Sequence, residues 1–169
     1  MLAHMARDHS LSPPLTGQYL CAPPIICWLP PSAIPEKYRP KYLSHTSVTP
    51  CQDPVLQASA EDVTAQIARF LKPDFDDPRF VPFFYGTQSE NEHNGVPPAY
   101  FQVGGLDQLR DEALIYERVL REEAGVRTRL DLYPGLGHFF WTHFPRLEAS
   151  RRFVEDTVRG VRWLLEGAE

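Results

Sequence analysis

Asp107 and His138 are the two residues of this 169-residue chain whose types and spacing together suggest chemistry. Each follows a short segment of strand character, and a helix is expected between them. Ala99–Val103 is rich in aromatic and β-branched residues, and Gly104-Gly105 closes it. Over residues 111–123 apolar side chains recur at helical spacing, Ile115 with Val119 and Tyr116 with Leu120, and Gly125 stands as the stop signal. Thr128–Tyr133 alternates again, and Pro134-Gly135-Leu136-Gly137 breaks the chain ahead of His138. The pattern predicts a βαβ unit with parallel strands and a right-handed crossover. In open α/β sheets catalytic groups collect beyond the carboxyl ends of the strands, which is where Asp107 and His138 fall. A carboxylate presented to an imidazole there is the orienting half of an acid–base–nucleophile triad: it sets the tautomer and stabilises the imidazolium. The spacing equally admits Asp107 as a helix cap and His138 as an ordinary turn residue.

The residues around the pair carry a resemblance. Asp107-Gln108-Leu109-Arg110-Asp111-Glu112 and Tyr133-Pro134-Gly135-Leu136-Gly137-His138-Phe139-Phe140 are similar to the D-x-L-R-D-E and Y-P-G-x-x-H-x-F motifs of the α/β-hydrolase fold-3 family, the hormone-sensitive-lipase-like esterases and lipases. The order and separation of the two motifs match as well. The resemblance implies an α/β fold, the C-terminal portion of an α/β hydrolase, with about three mainly parallel core strands, flanking helices and a proline-rich lid-like insertion. Residues 1–169 would form a single partial domain, with the insertion at 23–54 and the βαβα core at 97–166. It also implies Asp107 as triad acid, His138 as general base, a small-molecule carboxylic ester as substrate, and no metal or organic cofactor.

Two departures stand out. The family usually has glycine directly after the histidine, where this chain has Phe139. The family's order is Ser…Asp…His, yet none of Ser10, Ser12, Ser32, Ser44, Ser47, Ser59, Ser89 or Ser150 lies in a G-x-S-x-G context, and no H-G-G-G oxyanion loop is present. Met1–His9 reads as the second half of a helix begun upstream. The missing serine is expected roughly three or four helical turns ahead of Arg7. The alternative is an inactive remnant or pseudoenzyme, acting as an interaction module through an uncovered sheet edge. Such an edge predicts marginal stability for the isolated chain.

Composition narrows the classes. The net charge is −5, and the 17 lysines and arginines form no dense cluster, which argues against a nucleic-acid patch. Cys21, Cys27 and Cys51 are odd in number and sparse, so they describe no disulfide scaffold and read as small hydrophobes. No run approaches 18 apolar residues and no secretory leader opens the chain, so no membrane span is expected and a cytoplasmic location is the default.

The remaining elements are those needed to position the pair. Thr16–Ala22 reads as a short core strand. The proline-dense run that follows, with Trp28, Tyr38 and Tyr42, excludes long helices and predicts a lid or pocket wall, or else a surface excursion. Ser59–Leu71 carries helix signals. In the loop at 73–96, Phe80, Phe83, Phe84 and Tyr85 are expected to pack a domain edge. Phe139, Phe140, Trp141 and Phe144 suit either a pocket lining or packing under a final helix, Leu147–Leu165. That helix is given a core stripe of Val154, Val158, Val161 and Leu165, with Arg151, Arg152, Glu155, Arg159 and Arg162 facing solvent. His4 and His9 are expected to face solvent, and His45 and His143 to stand outside the chemistry.

Overall fold

The computed structural model describes residues 2–26, 29–44, 69, 77, 81–84 and 92–167. Among them one three-stranded sheet runs in the order β1 (Gln18–Cys21), β2 (Ala99–Gly104), β3 (Thr128–Tyr133), with both pairings parallel. Helix α1 (Leu2–Asp8) precedes β1. Helix α2 (Arg110–Arg118) links β2 to β3 and runs on through a π turn at Val119–Glu123. A short α3 (Phe140–His143) and a long α4 (Glu148–Leu165) follow β3. The expected βαβ unit is thus present, with Ala99 opposite Thr128 and Gly104 opposite Tyr133.

β2 is central and buried along its whole length, as a strand covered on both faces must be. Its alternation sorts the two layers. Ala99, Phe101 and Val103 join Ala113, Ile115, Tyr116 and Leu120 of the α2 side in the main core. Burial of a ring such as Phe101 contributes about 1.5–3 kcal/mol. Tyr100 and Gln102 face α4 instead. Gly160 of α4 lies over Tyr100, where a Cβ would come within 2.0 Å of the ring. The buried Gln102 amide donates to the Tyr133 hydroxyl (2.7 Å) and the Phe153 carbonyl (3.0 Å), and accepts from Tyr19 (2.6 Å) and Thr157 (2.8 Å). Tyr133 donates on to Asp156 at 3.0 Å, so the polar groups under α4 are satisfied rather than stranded.

That network corrects the reading of α4. Val154, Val158 and Leu165 are exposed, while Phe153, Asp156, Gly160 and Leu164 are buried. The inward face is turned by one residue, about 100°. Phe153 joins the aromatic cluster, Asp156 has a hydroxyl donor below it, and only glycine fits over Tyr100.

The described part of the proline-rich run sends five apolar side chains into the core while its charged residues stay exposed. Two single 3₁₀ turns, Pro31–Ala33 and Arg39–Lys41, carry a segment whose Ile25, Ile26, Ile34, Tyr38 and Tyr42 are buried with Phe83 in the main cluster. The Ser59–Leu71 helix lies outside the described residues except for Arg69, which is helical. Cys27, Trp28, His45, Cys51, Phe80 and Tyr85 also lie outside them. No helix among the described residues is long and apolar enough to cross a membrane.

Candidate active site

The carboxyl ends of β2 and β3 are drawn together by their turns. Gly104 and Gly105 leave room for this: a Cβ at Gly104 would stand 2.7 Å from the Leu136 carbonyl oxygen, and one at Gly105 would stand 2.9 Å from the Pro134 Cα. With the space kept clear, the amide of Gly105 donates to the Tyr133 carbonyl (2.8 Å) and that of Leu106 to the Leu136 carbonyl (3.0 Å). Arg110 donates to the Gly105 carbonyl at 3.0 Å, which fixes the start of the acidic turn. In the sequence the glycine pair marks a strand stop. Two glycines directly ahead of a strand-end acid were the signal for this close approach.

Across the joined turns, His138 Nδ1 donates to Asp107 Oδ2 at 2.9 Å. The other carboxylate oxygen, Oδ1, accepts the Leu109 amide at 2.8 Å. Asp107 therefore does not cap the helix, whose N-cap is Leu109 with no side-chain cap bond; its two oxygens serve a local turn bond two residues on and a long-range bond to the imidazole. Asp107 is completely buried, while the His138 side chain keeps 13% of its surface exposed. A buried carboxylate must be bonded to be tolerated, and this one has two donors. With Nδ1 committed as a donor, the proton-accepting role on the ring passes to Nε2.

The remaining acids of the motif do different work. Asp111 Oδ2 accepts the amides of Leu43 and Ser44, both at 2.6 Å. Glu112 accepts the Ile26 amide (2.7 Å) and the Tyr42 hydroxyl (3.1 Å). These two carboxylates clamp the proline-rich segment onto α2, beside the site. The buried hydroxyl of Ser44 donates to the Gln108 carbonyl at 2.7 Å, and that of Ser150 to the Phe144 carbonyl at 2.7 Å.

Cys21, at the carboxyl end of β1, is half-buried and packs against the cluster of Tyr133, Phe140 and Phe153. Burial, with the nearby Asp107 charge, pushes its thiol pKa up, which keeps it protonated and inert. His4 is not solvent-facing: it is completely buried, with Nε2 3.0 Å from Nδ1 of His93. His9 is exposed as expected, and His143 is exposed as well. No group of three or more His, Cys, Asp and Glu side chains among the described residues is placed to hold a metal ion. A cavity of about 630 Å³ lies between β3 and α4, lined by Asp131, Tyr133, Leu136, Leu147 and Arg152, and includes neither Asp107 nor His138.

A parallel sheet with helices on both faces, carrying a paired acid and imidazole on consecutive strand ends, defines the class. The chain belongs to the alpha/beta hydrolase fold family, whose model matches residues 1–142. It is similar to an AB hydrolase superfamily protein of Schizosaccharomyces pombe, 33% identical over 165 residues, covering 98% of this chain and 45% of that protein. It is also 32% identical over 163 residues to the versiconal hemiacetal acetate esterase of Dothistroma septosporum, covering 94% of this chain and 44% of the esterase. Among solved structures, vibralactone cyclase matches with a TM-score of 0.80 at 35% identity, covering 97% of this chain and 45% of the cyclase. The chain thus spans less than half the length of these relatives.

Proposed function

We propose that these residues supply the acid and base of a serine-dependent carboxylic-ester hydrolase, with the nucleophile and oxyanion donors coming from outside them. The carrying observation is the 2.9 Å bond between buried Asp107 and His138 at the carboxyl edge of the sheet. The esterase named among the relatives supports the same reaction class. In that reading, Nε2 of His138 takes the serine proton as the oxygen attacks the ester carbonyl carbon. The imidazolium, held by Asp107, then gives the proton to the departing alkoxide, and the acyl-enzyme is cleaved by water activated by the same base. The missing groups would arrive from upstream in a longer polypeptide, or from a second chain docked along the uncovered edge of the sheet.

A second reading is an inactive remnant that serves, if at all, as an interaction module. The absence of any nucleophile-elbow serine in the sequence favours it for these 169 residues alone. Mapping the 5′ end of the transcript, then assaying the encoded protein on a short activated ester, separates the two. A G-x-S-x-G in frame upstream, with turnover abolished by His138→Ala, supports the hydrolase. Turnover by the 169-residue chain alone that survives both Asp107→Ala and His138→Ala would sink the assignment of these two residues.

A further inference from the structure

Phe139 stands directly after His138 with φ +50° and ψ +31°, left-handed backbone that is an outlier for a bulky side chain. The conformation is over-determined: the Phe139 carbonyl accepts the amides of Thr142 (3.0 Å) and His143 (3.3 Å) and the Thr142 hydroxyl (2.8 Å), which start α3. Glycine would meet that backbone demand at no steric cost. Core packing is a weak reason for a phenyl ring here, because Phe139 keeps 41% of its surface exposed. Its ring contacts are specific instead. The centroid lies 4.0 Å from that of the His138 imidazole, tilted by 50°, and 5.2 Å from Trp141, perpendicular to it. Trp141 in turn stacks on Phe153 of α4, at 3.9 Å and 6°. A continuous series of rings therefore connects the long helix to the imidazole.

Strained residues beside a functional group point from the outlier to a role. We propose that Phe139 is a positioning residue: braced by Trp141 and Phe153, its ring holds the His138 imidazole in register with Asp107 and shields their hydrogen bond from water. This rests on the acid–base reading of that pair. The brace restricts rotation of the imidazole.

The test is nuclear magnetic resonance of the ¹⁵N-labelled 169-residue chain, with the His138 signals assigned by their loss in His138→Gln. The intact chain should show a slowly exchanging Nδ1–H and ring protons shifted upfield by the neighbouring phenyl. Phe139→Gly, which relieves the backbone strain, should remove the upfield shift. It should also speed Nδ1–H exchange roughly threefold to tenfold, the factor that an aromatic pair of this kind is worth. Phe139→Tyr should restore both. Phe139→Leu keeps bulk and backbone demand without the ring; it should lose the shift and exchange faster than the parent. Unchanged exchange in Phe139→Gly, while Asp107→Asn abolishes the protected signal, overturns the brace and leaves the acid–base pair standing. A protected Nδ1–H that survives Asp107→Asn overturns the pair itself, and the brace with it.

Discussion

Two pairs built on histidine can be compared within this chain. His138 meets a carboxylate at 2.9 Å and keeps part of its ring exposed. His4 meets the imidazole of His93 at 3.0 Å, and both are buried, with His93 against Tyr116 and Phe83. The contact lengths are nearly equal, yet the chemistry differs. Burial pushes the His4 pKa down to about 3 and that of His93 to about 4, with the Arg7 charge adding to both and Glu123 opposing it at His93. With both values lowered by burial, the two rings stay neutral near neutral pH and the pair serves as packing. Asp107 places a carboxylate in direct hydrogen-bond contact with His138, a group able to balance an imidazolium. Partner charge, not contact length, distinguishes the two pairs.

The sharpest way to break this comparison is at the acid. In the full-length enzyme proposed above, Asp107→Asn is expected to lower kcat about 10⁴-fold by releasing the tautomer. His4→Phe should leave kcat per folded molecule unchanged. A loss below tenfold for Asp107→Asn would put His138 in the same class as His4.

The next effect concerns pH. Both buried histidines have folded-state values below the ordinary 6.5, so the unfolded chain takes up protons first as pH falls. Stability is full above about pH 6.5 and is lost on acidification through the range toward pH 4. By pH 5 the loss should be about 2 kcal/mol for each histidine. Urea unfolding at pH 7 and pH 5 measures it, and the double variant His4→Phe, His93→Phe should flatten the difference. A drop that persists in the double variant would assign the acid sensitivity elsewhere.

A smaller effect is expected at Gly104. Its added methyl in Gly104→Ala must push against the Leu136 and Gly137 carbonyls, at a cost of about 1–3 kcal/mol. The upfield His138 signals should shift with it, while those of His4 and His93 stay in place. The smallest belongs to His143, which is exposed at the end of α3. His143→Ala should change stability by no more than about 0.5 kcal/mol and leave the His138 spectrum intact.

Asp107 and His138 were legible in advance because the features that place them are local. A strand pattern, a stop, and a single acid or imidazole just beyond it need no knowledge of distant residues. Ile115, Tyr116, Val119 and Leu120 were legible for the same reason, and all four are buried on α2 and the π turn that continues it. His4 was misread because its partner lies 89 positions away, beyond any window of periodicity. α4 was misread differently. Its valines make an apolar stripe on paper, but Gly160 alone fits over Tyr100, and Asp156 is tolerated inside because Tyr133 donates to it.

By itself the sequence determined the order of β2, α2 and β3, the parallel βαβ unit and the placement of Asp107 and His138 beyond consecutive strand ends, since these follow from backbone propensity and side-chain type. Only the tertiary structure decided which face of α4 turns inward, that Asp111 and Glu112 clamp a segment some seventy positions earlier, and that Phe139 lies against His138 in left-handed backbone. Those outcomes depend on shape complementarity and hydrogen-bond satisfaction between residues far apart in the chain, which close packing settles jointly.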